Sequence, residues 1–434
     1  MRKIIRILVL LAIFAIPVLL GLTWLDHFRE TKLPQPTGPF AVGRVTYDWK
    51  EPRHTELLPW IWYPAVPTQP SQATSDYLPP SWRSAVEQQR GKLLTRFLTR
   101  DLSRVRTHSM RDAKISDQQP SYPVVVMRAG LSGLVTGYTS LAEDLASHGY
   151  VVVGFDAPYR TSVVVFPDGR VLERAPQNNL DALGGQEQEQ RAFELVRAWS
   201  ADIDFALDQL EQLNTSDPSG RFLGRLDMKR VGVFGHSLGG ATALQFCHDD
   251  SRCKAGIDVD GAPIGSVITE GLSQPFMFLL SDHSWDLETE TRPVMANIRS
   301  IYNRQPGDRR LQIVIRGANH YMFSDDGAML KSPLLMRVMR VLGIVRLDGR
   351  RQVAVAAHYI VTFFDVYLKG APVSELKGPA GYPEIEYIHC WWTNRLEVRA
   401  ALPCGRWVAI RQVGAEPRGA PLRRNRGPGR GVLR

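Results

Sequence analysis

The most constraining stretch of this chain is a hydroxyl set between two short apolar runs. Val231-Gly232-Val233-Phe234 leads directly into Gly235-His236-Ser237-Leu238-Gly239-Gly240, and Ala241 to Phe246 follow with helical spacing. Strand, Gly-x-Ser-x-Gly and helix in that order describe a turn too sharp for bulky flanking side chains, so glycines on both sides of the serine let the two elements close on each other. The serine is left at the start of a helix, where unpaired backbone N–H groups and the helix dipole favour developing negative charge. A chain built around such a turn is expected to be α/β, with a mostly parallel central sheet and helices on both faces.

The surrounding pattern agrees. From Tyr122 onward, strand and helix signals alternate as they do in βαβ units. Pro123 to Met127 and Tyr150 to Phe155 are continuous apolar runs, as strands covered on both faces require. Tyr138, Leu141, Ala142 and Leu145 mark a helix between them, and Phe193 through Leu213 mark a longer one before the strand that ends at Phe234. Further strands are expected at Ala255–Val259, Pro275–Leu280 and Leu311–Arg316, with a closing helix over Val353–Leu368. Val42–Trp49 and Leu57–Tyr63 read as two earlier strands that open the globular region.

Composition sets the limits of that region. At 434 residues, 44% hydrophobic and 22% charged, the chain has material for one large core, expected over residues 40–370. The net charge of +9 does not point to nucleic acid, because much of it sits in residues 414–434, where six arginines face one acid in a Gly/Pro-rich stretch with little to bury. That tail is expected to be disordered, following an extension over 371–413. At the other end Arg2, Lys3 and Arg6 precede an uncharged run from Ile7 to Leu25. This nineteen-residue run, interrupted only by Pro17, Gly21 and Thr23, suits a membrane anchor or signal over 1–25, followed by a linker over 26–39, with the catalytic domain extracytoplasmic or secreted. The four cysteines fall into two local pairs, Cys247 with Cys253 and Cys390 with Cys404, which suits an oxidising compartment. Residues 83–114 hold nine Lys or Arg against three acids, with Leu93, Leu94, Phe97, Leu98, Leu102 and Val105 spaced for one face of a basic amphipathic helix.

A serine needs a base, and in a fold with this turn the base follows the last strand of the sheet. His320 stands there, in Gly317-Ala318-Asn319-His320 just past Leu311–Ile315. An acid must lie between serine and histidine to orient the imidazole and stabilise its cation. Asp260 ends the strand Ala255–Val259, Asp282 follows the next one, and pattern alone leaves the choice open. An oxyanion hole requires two backbone amides, expected from Leu238 after the serine and Leu131 in Gly130-Leu131-Ser132-Gly133.

With those residues in view, the chain resembles the plasma-type (isoform II) platelet-activating factor acetylhydrolases and their bacterial relatives, members of the α/β-hydrolase superfamily. The stretches that carry the resemblance are Val42-Gly43-Arg44, Trp62-Tyr63-Pro64, Gly130-Leu131, Asp144 to Tyr150, Gly235 to Gly240, Gly256 to Asp260 and Gly317 to Phe323. Where that family has His-Gly-Leu-Gly in the oxyanion turn, this chain has Ala129-Gly130-Leu131-Ser132. The resemblance favours Asp260 as the acid and implies a carboxylic ester hydrolase that needs neither metal nor other cofactor. It implies an acyl-enzyme route acting on short-chain acyl esters or phospholipid-like substrates. The other readings are an envelope acyltransferase or polyester hydrolase with the same three residues, and a non-catalytic binding module.

Overall fold

Val124, Val125, Val126 and Met127 are all completely enclosed, and so are Val151, Val152 and Val153. Consecutive strand side chains point to opposite faces, so such runs survive only in a sheet covered on both sides. Val125, Met127 and Val152 pack into one core, while Val124, Val126, Val151 and Val153 pack into another. The computed structural model that shows this describes residues 2–388 except 51–55, 68–73, 92–98, 284–287, 308, 330–336, 338, 342, 344 and 377–380.

In chain order the elements are α1 (Arg2–His27), β1 (Thr31–Lys32), β2 (Ala41–Thr46), β3 (Leu58–Ala65), β4 (Thr74–Asp76), α2 (Pro80–Arg90), β5 (Val105–Arg111), β6 (Tyr122–Arg128) and α3 (Thr139–Ser147). There follow β7 (Val151–Asp156), the hairpin β8 (Val163–Val165) and β9 (Val171–Glu173), α4 (Gly185–Ser216), β10 (Leu226–His236), α5 (Leu238–Asp249) and β11 (Cys253–Val259). The last are β12 (Phe276–Leu280), α6 (Glu288–Arg304), β13 (Arg310–Ile315), α7 (Gly349–Lys369) and β14 (Ile385–Tyr387). The main sheet runs β1-β5-β2-β3-β7-β6-β10-β11-β12-β13-β14. Its centre, from β7 to β13, is wholly parallel, and β3 and β14 flank that centre antiparallel. This is the expected α/β architecture with a mostly parallel central sheet. Helices α3 and α7 contribute Leu141, Leu145, Ile360 and Phe364 to the first core, and α4 and α5 contribute Ile203, Leu210, Leu244 and Phe246 to the second. Asp348 starts α7 by accepting from the Arg350 and Arg351 amides, and Gly370 ends it in the left-handed region.

Three sequence expectations change. The apolar run Ile7–Leu25 does form most of α1, but among the described residues no helix is long and apolar enough to cross a membrane, so the anchor is not supported. The end of α1 is instead tied to the domain: Arg100 pairs with Asp26 at 2.8 Å, and the ring of His27 meets the Thr99 carbonyl at 2.8 Å. Within 83–114 no single amphipathic helix forms. Val105, Thr107 and Ser109 alternate with more open neighbours in β5, so period two prevails over the helical period there. Leu93, Leu94, Phe97 and Leu98 lie outside the described residues. Finally, the segment read as a linker includes β1, which pairs with β5.

Cys247 and Cys253 form a disulfide with Cα atoms 5.1 Å apart, joining the end of α5 to the start of β11. Cys390, Cys404 and the arginine-rich tail lie outside the described residues.

Candidate active site

The sheet delivers its chemistry at the carboxyl ends of the parallel strands. Ser237 joins β10 to α5 with φ 56° and ψ −124°, a conformation rare for a residue with a side chain and characteristic of strained functional turns. The turn is held by Ser237 N donating to Val259 O at 2.9 Å and Gly240 N donating to Ser237 O at 2.9 Å. The flanking glycines are sterically required: a Cβ on Gly235 would sit 2.2 Å from Gly239 O, and one on Gly239 would sit 2.5 Å from Ala129 O.

Ser237 Oγ lies 3.2 Å from His320 Nε2, and His320 Nδ1 lies 2.7 Å from Asp260 Oδ2. The expected serine, histidine and acid are thus within hydrogen-bond reach of one another. The choice between acids also becomes visible: Asp260 faces the imidazole, whereas Asp282 Oδ2 accepts from Gly317 N at 2.7 Å and fastens the loop that carries His320. Asp260 itself has φ 56° just past β11, and its amide donates to Leu279 O at 2.9 Å.

The side chain of Asp260 is 1% exposed. Burial alone would raise its pKa, but hydrogen bonds from His283 and His320 and the charge on those rings hold the carboxyl well below the usual range. Ser281 adds two more donors, its amide to Oδ1 at 2.8 Å and its hydroxyl to Oδ2 at 2.7 Å. Neither Ser281 nor His283 was singled out by sequence pattern. The available signal was their place directly after β12, next to a strand end already suspected of carrying the acid.

His236, inside the turn, also has a role that its position in the sequence did not suggest. It is 7% exposed, and burial followed by the charge of His320 pushes its pKa down to about 3. A neutral ring has one donor and one acceptor. Its Nε2 faces the His320 carbonyl at 2.9 Å, so Nε2 carries the proton and Nδ1 accepts from the Tyr138 hydroxyl at 2.7 Å. The same hydroxyl accepts from Gly130 N at 3.4 Å. One chain of hydrogen bonds therefore fixes the base loop relative to the loop that carries Leu131.

Leu131 lies in the turn closed by Gly133 N donating to Gly130 O at 3.0 Å, and Arg174 Nη1 reaches the Leu131 carbonyl at 3.4 Å. Leu238 begins α5, where first-turn amides have no acceptor within the helix. Both residues border, together with Ser237 and His320, a cavity of about 650 Å³. Leu134, Leu180, Ile264 and Met329 supply apolar wall, and Gln188 and Asp181 supply polar edge. A space of this size and lining suits a small ester or the head and short chain of a lipid. Among the described residues no cluster of His, Cys, Asp and Glu is arranged to hold a metal ion.

Comparison with known proteins extends the picture. The family model described as "Platelet-activating factor acetylhydrolase, isoform II" matches residues 25–370. A platelet-activating factor acetylhydrolase of Cavia porcellus is 24% identical over 323 residues, covering 69% of this chain and 70% of that protein. A probable 1-alkyl-2-acetylglycerophosphocholine esterase of Arthroderma benhamiae is 24% identical and covers 82% of this chain and 93% of its own. Among solved structures, a ferulic acid esterase from Streptomyces cinnamoneus superimposes with a TM-score of 0.66 at 26% identity, over 83% of this chain and all of that one.

Proposed function

The chain belongs to the platelet-activating factor acetylhydrolase isoform II family and is an ester hydrolase, and from that premise we propose that it works through a covalent acyl-Ser237 intermediate. The observation that carries this reading is the relay from Ser237 Oγ through His320 to Asp260 at the wall of the cavity. In it, His320 Nε2 takes the serine proton as Oγ attacks the ester carbonyl, and returns that proton to the departing alcohol. Water then enters and gives a proton to the same nitrogen as its oxygen attacks the acyl carbon; the acid leaves as the bond to Oγ breaks, and His320 returns the proton to Ser237 Oγ. Asp260 keeps the proton-bearing Nδ1 edge of the ring turned toward itself and stabilises the imidazolium. The amides of Leu131 and Leu238 stabilise the tetrahedral oxyanion.

The substrates proposed are short-chain acyl esters, including phospholipid-like ones. Support comes from a relative named as a probable alkylacetylglycerophosphocholine esterase, and from a cavity whose apolar wall faces the serine. We also place the domain in an oxidising, extracytoplasmic compartment, a reading supported by the Cys247–Cys253 disulfide.

Ser237→Ala tests the mechanism. Turnover of p-nitrophenyl acetate and butyrate should fall on the order of 10⁵-fold, with labelling by a fluorophosphonate probe abolished. Wild-type turnover in that variant would overturn the acyl-enzyme route. A panel spanning short-acyl phospholipids, simple esters and feruloyl esters then ranks the substrates by kcat/KM.

A further inference from the structure

We propose that His283 is a positioning residue of this site, a second imidazole on the buried carboxylate that keeps His320 unprotonated to lower pH than Asp260 alone would allow. The proposal rests on the acyl-enzyme reading above. Each oxygen of Asp260 faces one imidazole: Oδ2 faces His320 Nδ1 at 2.7 Å, and Oδ1 faces His283 Nε2 at 2.9 Å. Ser281 supplies the other donors and stands between the rings, its hydroxyl also 3.3 Å from His283 Nε2. An ionised carboxylate only accepts, so His283 Nε2 carries a hydrogen and the tautomer of this ring is set by the same acid that sets that of His320. The two rings are similarly placed toward solvent, His283 with 35% and His320 with 33% of the side chain exposed, so both can exchange protons with water.

One carboxylate can fully compensate one imidazolium, not two. The first proton taken up by the pair is favoured by Asp260, and the second meets a positive charge already on the other ring. A charge on His283 therefore weakens proton binding at His320, which stays available as a base. Among the described residues the other titratable groups around the pair do not take over this role. His236, with its ring 4.6 Å from that of His320, is held neutral by burial. Asp258 is buried and kept protonated into the neutral range, and Asp282 is engaged by Gly317 N. With each ring about 3 Å from the shared carboxylate, mutual repulsion at an intermediate effective dielectric is worth about half to one pH unit.

The test is the pH dependence of kcat/KM on p-nitrophenyl butyrate, from pH 5 to 9, for wild type, His283→Gln and His283→Ala. Glutamine keeps a donor for Oδ1 but cannot titrate. Its acid limb should move up by about half to one pH unit and follow a single proton, with plateau kcat within about threefold of wild type. Alanine should show the same upward shift together with a lower plateau. If both variants keep the wild-type midpoint, or move it down, the proposal is overturned. A purely structural role would lower the thermal midpoint and the plateau while leaving that midpoint in place. Ser237→Ala separates the two levels: inactivity there with an unmoved acid limb in both His283 variants removes this inference alone, whereas activity there removes the acyl-enzyme reading beneath it.

Discussion

Beneath α5, Asp258 is enclosed with one backbone donor, Gly261 N at 2.8 Å on Oδ1, and among the described residues its Oδ2 has no hydrogen-bond partner. At the crest of the sheet two residues later, Asp260 is equally enclosed, yet both its oxygens are engaged by Ser281 and by two imidazoles. Strand alternation would set the two on one side, but Asp260 lies past the strand at φ 56°, where alternation no longer governs. Burial pushes the pKa of Asp258 up to about 8, only partly offset by Gly261, while the crest holds Asp260 well below the carboxylate range. Two carboxyls in one strand end thus show that enclosure decides ionisation only where donors are few. The region under the turn is built like a core, and the crest is built to keep a charge.

The largest effect that can break this contrast is on turnover. Asp260→Asn leaves the shape of the crest but offers His320 Nδ1 a neutral partner and invites the wrong tautomer. Turnover of p-nitrophenyl butyrate should fall about 10³- to 10⁴-fold. Asp282→Asn, which touches the base loop through Gly317 rather than the charge on the imidazole, should cost less than about tenfold in the same assay. Equal losses in the two variants would mean that the crest carboxylate is not what orients the base. A smaller effect measures how far the donor count matters. Ser281→Ala removes the hydroxyl from Asp260 Oδ2 while leaving the residue 281 amide on Oδ1, and should lower kcat about tenfold with KM unchanged.

The same contrast explains what could be read from the chain beforehand. Ser237 was legible because its neighbours are dictated sterically: Gly235 and Gly239 have no room for a Cβ. His320 was legible from its place after the last parallel strand, β13. Asp260 and Asp282 were not separable by pattern, because both follow adjacent parallel strands and only the turn of the backbone at Asp260 brings its carboxylate to the imidazole. Ser281 and His283 left no periodic signal, since loop donors obey distance in space rather than spacing in sequence. Residues 105–111 misled for a related reason: alternating polar and small residues in a basic segment fit both periods, and pairing with β1 and β2 decided for the strand.

The smallest expected change in activity belongs to the other half of the comparison, and its readout is stability. A folded-state carboxyl at about 8 against an ordinary 3.8 means that between those values the unfolded chain releases a proton that the folded chain keeps. Unfolding then becomes easier as pH rises, by up to about 1.4 kcal/mol per pH unit for one such group. Asp156 and Asp325, each pushed up to about 7 by burial, add to that slope up to about pH 8, in the wild type and in any variant at position 258 alike. The difference between wild type and an Asp258 variant over pH 7 to 8 therefore isolates Asp258. An asparagine side chain in its place would present a carbonyl oxygen to Gly261 N and an amide where the protonated acid has its hydroxyl, so Asp258→Asn should keep turnover within about threefold. Denaturant unfolding should show the wild type losing about 1 kcal/mol more than the variant between pH 7 and 8. A variant that instead lost stability equally at every pH would mean that Asp258 is ionised under α5, and the two ends of the comparison would no longer differ in charge.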